Sequence, residues 1–267
     1  MRLKLAGLVM AASGLLAVQS AFAADMPAKM YTKAPMAPPA YSWSGFYIGV
    51  NAGGYWAKDD DPAFVSANNN FGAAGLASIN QLSPVTLSPS GFTGGLQLGY
   101  NWQLSALVFG VEGDFEGMTG SSSRNLNTLI AGVAPGQFTD SAKENWMASV
   151  RARAGFTFNQ FLIYATGGPA WSNWHTNHTF ADIPGGINGV IDSTFTRSGW
   201  VIGGGAEYAV TGNWIARVEY LHADFGTRTS TEITTVPAPG FFTNIDHPER
   251  LRTDIVRAGI SYKFGGM

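Results

Sequence analysis

The chain has no cysteine in 267 residues. Disulfides and thiolate metal sites are therefore excluded. Charge is also scarce. Asp, Glu, Lys and Arg make up 13% of the sequence, about half the ordinary share. Eighteen acidic residues stand against 16 basic ones. That balance lacks the basic footprint of a nucleic-acid-binding protein, so no nucleic-acid partner is expected. Beyond residue 23 there is no apolar run long enough for a transmembrane helix, which needs about 18 residues or more.

What is abundant is glycine, at 34, with 17 Phe, 9 Tyr and 8 Trp. Many glycines and aromatics with few charges suit a β-protein that faces lipid. The first 23 residues read as a secretory signal. Arg2 and Lys4 form the positive start, residues 5–18 the apolar stretch, and Ala21-Phe22-Ala23 a small-x-small cleavage motif. Cleavage is expected before Ala24. Residues 24–42 contain Pro27, Pro35, Pro38 and Pro39 without periodicity. They are expected to form an extended periplasmic linker. The barrel domain is expected over 43–267.

Residues 107–117 show the pattern that organises the rest. Leu107, Phe109, Val111 and Phe115 share one face of a strand, and Glu112, Asp114 and Glu116 share the other. A soluble sandwich would bury the apolar face, whereas a transmembrane barrel turns it to lipid and keeps the charges inside. Period-two segments recur at 43–57, 90–102, 107–117, 145–156, 161–171, 198–209, 214–225 and 253–264. Each is longer than the usual soluble strand of about 5–6 residues. Each suffices for a bilayer crossing, which takes about 9–11 tilted residues.

The connections alternate strictly. Long ones span 58–89, 118–144, 172–197 and 226–252, and short ones 103–106, 157–160 and 210–213. Outer-membrane barrels have short periplasmic turns and long outer loops. The expectation is an all-β fold, a transmembrane antiparallel eight-stranded up-and-down β-barrel with both mature termini periplasmic. The long connections are rich in Asn, Ser, Thr and Gly, as at Asn68-Asn69-Asn70 and Ser121-Ser122-Ser123. They are expected to be mobile surface loops. Pro169 falls inside the fifth segment, where a bulge or an early exit from the ladder is expected.

The inward faces carry Glu112, Asp114, Glu116, Glu207 and Glu219 against Arg151, Arg153, Arg217, Arg257 and Lys263. Such charges cost too much facing lipid. Eight strands enclose a space that side chains can fill. A balanced set there reads as a structural network of paired lumen charges, or alternatively as a narrow ion path. On the outward faces, Trp102, Phe156, Trp214, Tyr262 and Phe264 are expected to form the periplasmic aromatic girdle. Trp56, Phe92, Trp146 and Trp200 are expected to form the outer one.

Signals for chemistry are weak. His175 and His178 have no second ligand pair, so no metal is expected. His222 and Asp224 share the nominally outward face with Tyr220 and lack the positioned partners of a catalytic dyad. They read as rim residues contacting headgroups or loops. Gly203-Gly204-Gly205 precedes no helix, so it marks close packing or a kink rather than a nucleotide site. No cofactor and no enzymatic activity are expected.

Several stretches resemble a known family. They are Trp43-Ser-Gly-Phe-Tyr-Ile-Gly-Val-Asn-Ala-Gly-Gly, Gly99-Tyr-Asn-Trp, Phe109-Gly-Val-Glu-Gly-Asp-Phe, Ala165-Thr-Gly-Gly, Arg217-Val-Glu-Tyr and Ile260-Ser-Tyr-Lys-Phe. Over residues 43–264 the chain is similar to the small outer-membrane barrels of rhizobia and brucellae, the opacity-type, porin-like surface antigens of Gram-negative envelopes. The resemblance implies insertion by the outer-membrane assembly machinery, with Tyr262 and Phe264 as the assembly signal. Here Gly265, Gly266 and Met267 follow the last aromatic. Family members are described as structural envelope proteins, surface antigens, porin-like proteins and haemin binders. The shared motifs are architectural and transfer no catalytic or ligand residue. The functional expectation is an outer-membrane barrel that stabilises the envelope and presents long outer loops among outer-membrane lipid and lipopolysaccharide. The alternatives are a narrow channel for ions or small solutes, and a haemin-binding surface protein using His175 or His178.

Overall fold

A computed structural model of the chain describes residues 41–61, 64–68, 85–130, 134–182, 187–235 and 242–265. The expected signal segment and the linker up to residue 40 lie outside them. In chain order the strands are β1 (Gly45–Asp61), β2 (Phe64–Asn68), β3 (Val85–Leu87), β4 (Ser90–Leu104), β5 (Leu107–Met118), β6 (Ser122–Ile130), β7 (Ala134–Phe158), β8 (Phe161–Asp182), β9 (Ile187–Thr211), β10 (Trp214–Thr235) and β11 (Phe242–Phe264).

Eight of these form the wall. β1, β4, β5, β7, β8, β9, β10 and β11 pair antiparallel in that order. β11 pairs back onto β1 from Phe46↔Phe264 to Asp60↔Arg250. Closure leaves the wall no unpaired edge. At one end the connections are two residues long, led by Ser105, Asn159 and Gly212 in left-handed conformations with φ of 59°, 54° and 52°. We call this the turn end and the opposite one the hairpin end.

The period-two reading sets the faces correctly. Leu96, Leu98, Val111, Val150, Ile163, Val218 and Ile260 are exposed on the outside, while Glu116 and Arg151 are sealed within. The outward aromatics stand in two rows, Trp102, Phe156, Trp214 and Phe264 towards the turn end and Trp56, Phe92 and Trp200 towards the hairpin end. Between the rows the outward positions are apolar, aromatic, glycine or proline, and none of those described is charged. In water this belt would far exceed the few hundred Å² of apolar patch that a soluble monomer shows.

The hairpin end departs from the expectation of mobile loops. β7 and β8 stay paired out to Gly136↔Asp182, β8 and β9 to Asp182↔Ile187, and β10 and β11 to Thr235↔Phe242. β6 adds to β7, β2 to β11, and β3 to β1. The wall strands reach 25 residues in β7 and β9. The reason is that a hairpin leaving the bilayer keeps its ladder after its alternation has faded, because polar residues then suit both faces. Other ladders stop near the belt: β1–β4 at Trp56↔Ser90, β4–β5 at Thr93↔Met118, β5–β7 at Gly117↔Trp146 and β9–β10 at Asp224↔Trp200. Above that last level β9 and β10 belong to different sheets, β6–β7–β8–β9 and β2–β11–β10.

Pro169 produces neither the bulge nor the early exit expected. It points outward and pairs with Trp200. On its other side the β7–β8 ladder skips from Ser149↔Ala170 to Ala152↔Gly167 with the register unchanged. The missing donor is absorbed as a local gap. Bulges lie elsewhere, among them Asn145, between Glu144↔Trp174 and Trp146↔Asn173, Val210, between Trp214↔Thr211 and Ile215↔Ala209, and Phe225-Gly226, where Gly226 has φ +68°.

Candidate functional site

The interior is filled in layers. At the turn end the first described residues, from Tyr41, lie inside the barrel rather than in its wall. Trp43 is wholly buried against Val108, Leu162, Tyr164, Ala209 and Ile215. Its backbone N–H donates to Gln103 Oε1 at 2.7 Å, and the Gln103 N–H donates to Ser44 Oγ at 2.8 Å. Tyr41 packs edge-on against Trp43 with ring centroids 5.1 Å apart. Gly45 then turns the chain into β1. Its φ of +136° and the Phe264 carbonyl, 2.8 Å from where a Cβ would stand, leave room for glycine alone. The first wall strand thus starts at Gly45, not at Trp43.

The next layer gathers the charges. Arg151 Nη2 lies 2.5 Å from Glu112 Oε1 and 3.0 Å from Asp114 Oδ2. Arg153 Nη2 meets Glu207 at 2.7 Å. Arg217 Nη2 sits between Glu112, at 2.6 Å, and Glu207, at 2.7 Å. Arg257 binds Glu219 at 2.5 Å, reaches Asp114 at 3.4 Å, and donates to Glu116. All of these side chains are buried. Lys263 points towards the turn end instead. There it donates to the Ser42 carbonyl and lies 4.7 Å from the Tyr41 ring centroid.

Two tyrosines that charge-counting passes over complete the network. Tyr47 donates to Glu112 at 2.5 Å and accepts from Arg153 at 2.8 Å. Tyr164 donates to Glu219 at 2.8 Å, and the Arg153 guanidinium stacks 4.0 Å from its ring centroid. Each lies over an inward glycine. A Cβ at Gly99 would come within 2.4 Å of the Tyr47 hydroxyl, and one at Gly205 within 2.6 Å of the Tyr164 hydroxyl. The triplet Gly203-Gly204-Gly205 thus serves close packing. An inward aromatic opposite an inward glycine was the available sequence signal. Thr93 and Ser149 supply further hydroxyls, to Glu116 at 2.8 Å and Asp114 at 2.7 Å.

Towards the hairpin end the filling becomes apolar, with Tyr55, Met118, Met147, Trp174, Val201, Leu221, Phe225, Leu251 and Ile255. Glu144 sits among them, wholly buried. Its carboxylate accepts from Ser172 at 2.5 Å and Thr253 at 2.9 Å. It stands two residues beyond Trp146, outside the apolar belt. Burial pushes its carboxyl up to about 7, against the two hydroxyl hydrogen bonds that lower it. Above this layer Arg197 of β9 binds the Glu249 carboxylate and, at 3.0 Å, its carbonyl on β11.

The histidines of the expected loop lie on β8. Three residues apart on a strand, they fall on opposite faces. His175 lies 3.0 Å from Thr194 Oγ1 and 3.4 Å from Asp192, and His178 lies 2.8 Å from Asp140. They do not converge on one ligand. His222 is outward and 2.7 Å from Asp254, which also accepts from Tyr220 at 2.7 Å. Asp224 separates from His222. The bulge covers it, and it binds Arg250 and the Gly226 N–H, at 2.7 and 2.8 Å. Among the described residues no group of three or more His, Asp or Glu could hold a metal.

The model of the outer membrane protein beta-barrel domain matches residues 8–264. This chain belongs to that family. It is 32% identical over 261 residues to a 31 kDa outer-membrane immunogenic protein of Brucella melitensis, covering 96% of this chain and 98% of the relative. It is 30% identical over 190 residues to a 22 kDa outer membrane protein of Rhizobium leguminosarum, covering 71% and 68% of the two chains. Among solved structures, the outer membrane protein OprG from Pseudomonas aeruginosa aligns with a TM-score of 0.45 at 12% identity, covering 84% of this chain and 97% of that one. This family member is an outer-membrane β-barrel.

Proposed function

We propose that the protein is a structural, non-catalytic and non-conducting outer-membrane barrel, which stabilises the envelope and presents its paired hairpins at the cell surface. One observation carries this reading. The lumen is occupied across its section by mutually bonded buried side chains, with Arg151 and Arg257 wholly buried and Glu116 beside them. Trp43 closes the turn end and the apolar layer the hairpin end. A solute would have to displace paired charges, and breaking a buried pair costs about 3–5 kcal/mol. The connections support the orientation. Two-residue turns suit the periplasmic side and long hairpins the outside, and in this reading both mature termini are periplasmic. The signal at 1–23 supports export, and N-terminal sequencing of the membrane-inserted chain should begin at Ala24.

Single-channel recording of the refolded mature chain in a planar bilayer tests the reading. The expected result is silence from protein shown to be folded. Reproducible ion-selective steps that change with Arg151→Gln or Glu112→Gln would make the interior a filter and overturn it.

A further inference from the structure

Beyond the apolar belt, the outward face of β1, β11 and β10 carries charges in register. Trp56 pairs with Asp254, and Asp254 with His222. One row further out, Lys58 pairs with Arg252 and Arg252 with Asp224. The row beyond has Asp60 beside Arg250. Two residues along a tilted strand place Lys58 and Arg252 roughly 5–6 Å beyond the aromatic row, at headgroup depth.

The acids in this patch are already engaged. Asp60 binds Arg252 and accepts from Thr86 at 3.3 Å. Asp224 takes Arg250 and the Gly226 N–H, and Asp254 takes His222 and Tyr220. The cations are not used up. Each arginine spends one terminal nitrogen, Nη2, on its acid, and the Arg250 and Arg252 side chains stay 52% and 34% exposed. Lys58 is exposed. The result is two guanidiniums oriented by their acids beside an ammonium, above Trp56 and Tyr220 and in one row with Trp200. Guanidiniums match phosphate geometry, and interfacial rings suit the boundary beneath.

We propose that this rim binds the phosphorylated headgroup of an outer-leaflet glycolipid. The assignment rests on the hairpin end facing outward. It is independent of whether the lumen conducts, so a conducting barrel would leave it standing.

The test uses the refolded mature chain in lipid nanodiscs. Native mass spectrometry reads retention of bisphosphorylated lipid A against the same glycolipid with both phosphates removed. Lys58→Gln, which disturbs no pair of the arginines, should weaken retention of the phosphorylated lipid about five-fold, the effect of one basic charge near a headgroup surface. The triple variant Lys58→Gln/Arg250→Gln/Arg252→Gln should lose it altogether, with folding checked by heat-dependent gel mobility. Lys143→Gln, an exposed cation elsewhere on the rim, should retain it, and the dephosphorylated lipid should not distinguish the proteins. Wild-type retention by Lys58→Gln, or equal loss in Lys143→Gln, would overturn the site. Displacement of the glycolipid by excess inorganic phosphate would overturn the lipid in favour of a free anion.

Discussion

At the residue scale the interior is governed by pairing. Arg151 answers both Glu112 and Asp114, so Arg151→Ala leaves two buried carboxylates short of a partner. We expect a loss of about 3–5 kcal/mol, read as a lower urea midpoint in detergent micelles. Adding Glu112→Gln should restore part of it, and a double-mutant cycle would measure how much. Glu144 sets a pH dependence of opposite sign to the usual carboxylate. Its folded value, about 7, lies above its ordinary 4.5. Folding is therefore favoured by this group below about pH 4.5, and the benefit is lost as pH rises through 7. The full swing is about 3 kcal/mol. Glu144→Gln should abolish that decline and be the more stable protein at pH 8. The faces of Arg151, Glu112 and Asp114 were legible in the sequence because a barrel inverts the ordinary pattern without changing its period, whereas Glu144 read as the end of a long connection. The tyrosines and Trp43 were not legible, since alternation says which side a ring takes but not what it touches.

At the element scale the strands are set by ladder continuity rather than by hydrophobic contrast. Segments such as 172–182 look like loops because Ser, Asn, Thr and His stand at alternate positions on both faces, yet β8 carries them in unbroken pairing to Asp182. Single-residue bulges such as Asn145 leave no compositional trace. Pro169 was visible, but its consequence was smaller than a bulge, because a stiff closed wall holds register on either side of the gap. Pro169→Val should fill the missing rungs beside Val150 and Arg151 and raise stability by up to about 1 kcal/mol. Slower hydrogen exchange at residues 149–152 would verify the repair, and unchanged exchange would place the gap's cause outside the proline.

At the scale of the whole molecule, stability should be graded along the barrel axis. Within the belt every wall strand has two partners, and above Trp200 and Asp224 the wall divides into two sheets. Amides of 187–199 and 227–235 should exchange well ahead of those of 201–209 and 215–223 in micelles, by mass spectrometry. Uniform protection would mean that the two sheets open only with the barrel.

With the hairpin end outward, as proposed, those sheets also fix what a binder outside the cell can read. Lys143 stands beside His175 and His175 beside Thr194, three neighbours drawn from separate stretches of sequence, while Ser172, Trp174 and Thr176 on the same strand are hidden. An antibody on this face meets every second residue of several strands at once. Its epitope is a mosaic, and a short peptide copied from any one stretch offers half of its side chains from the wrong side.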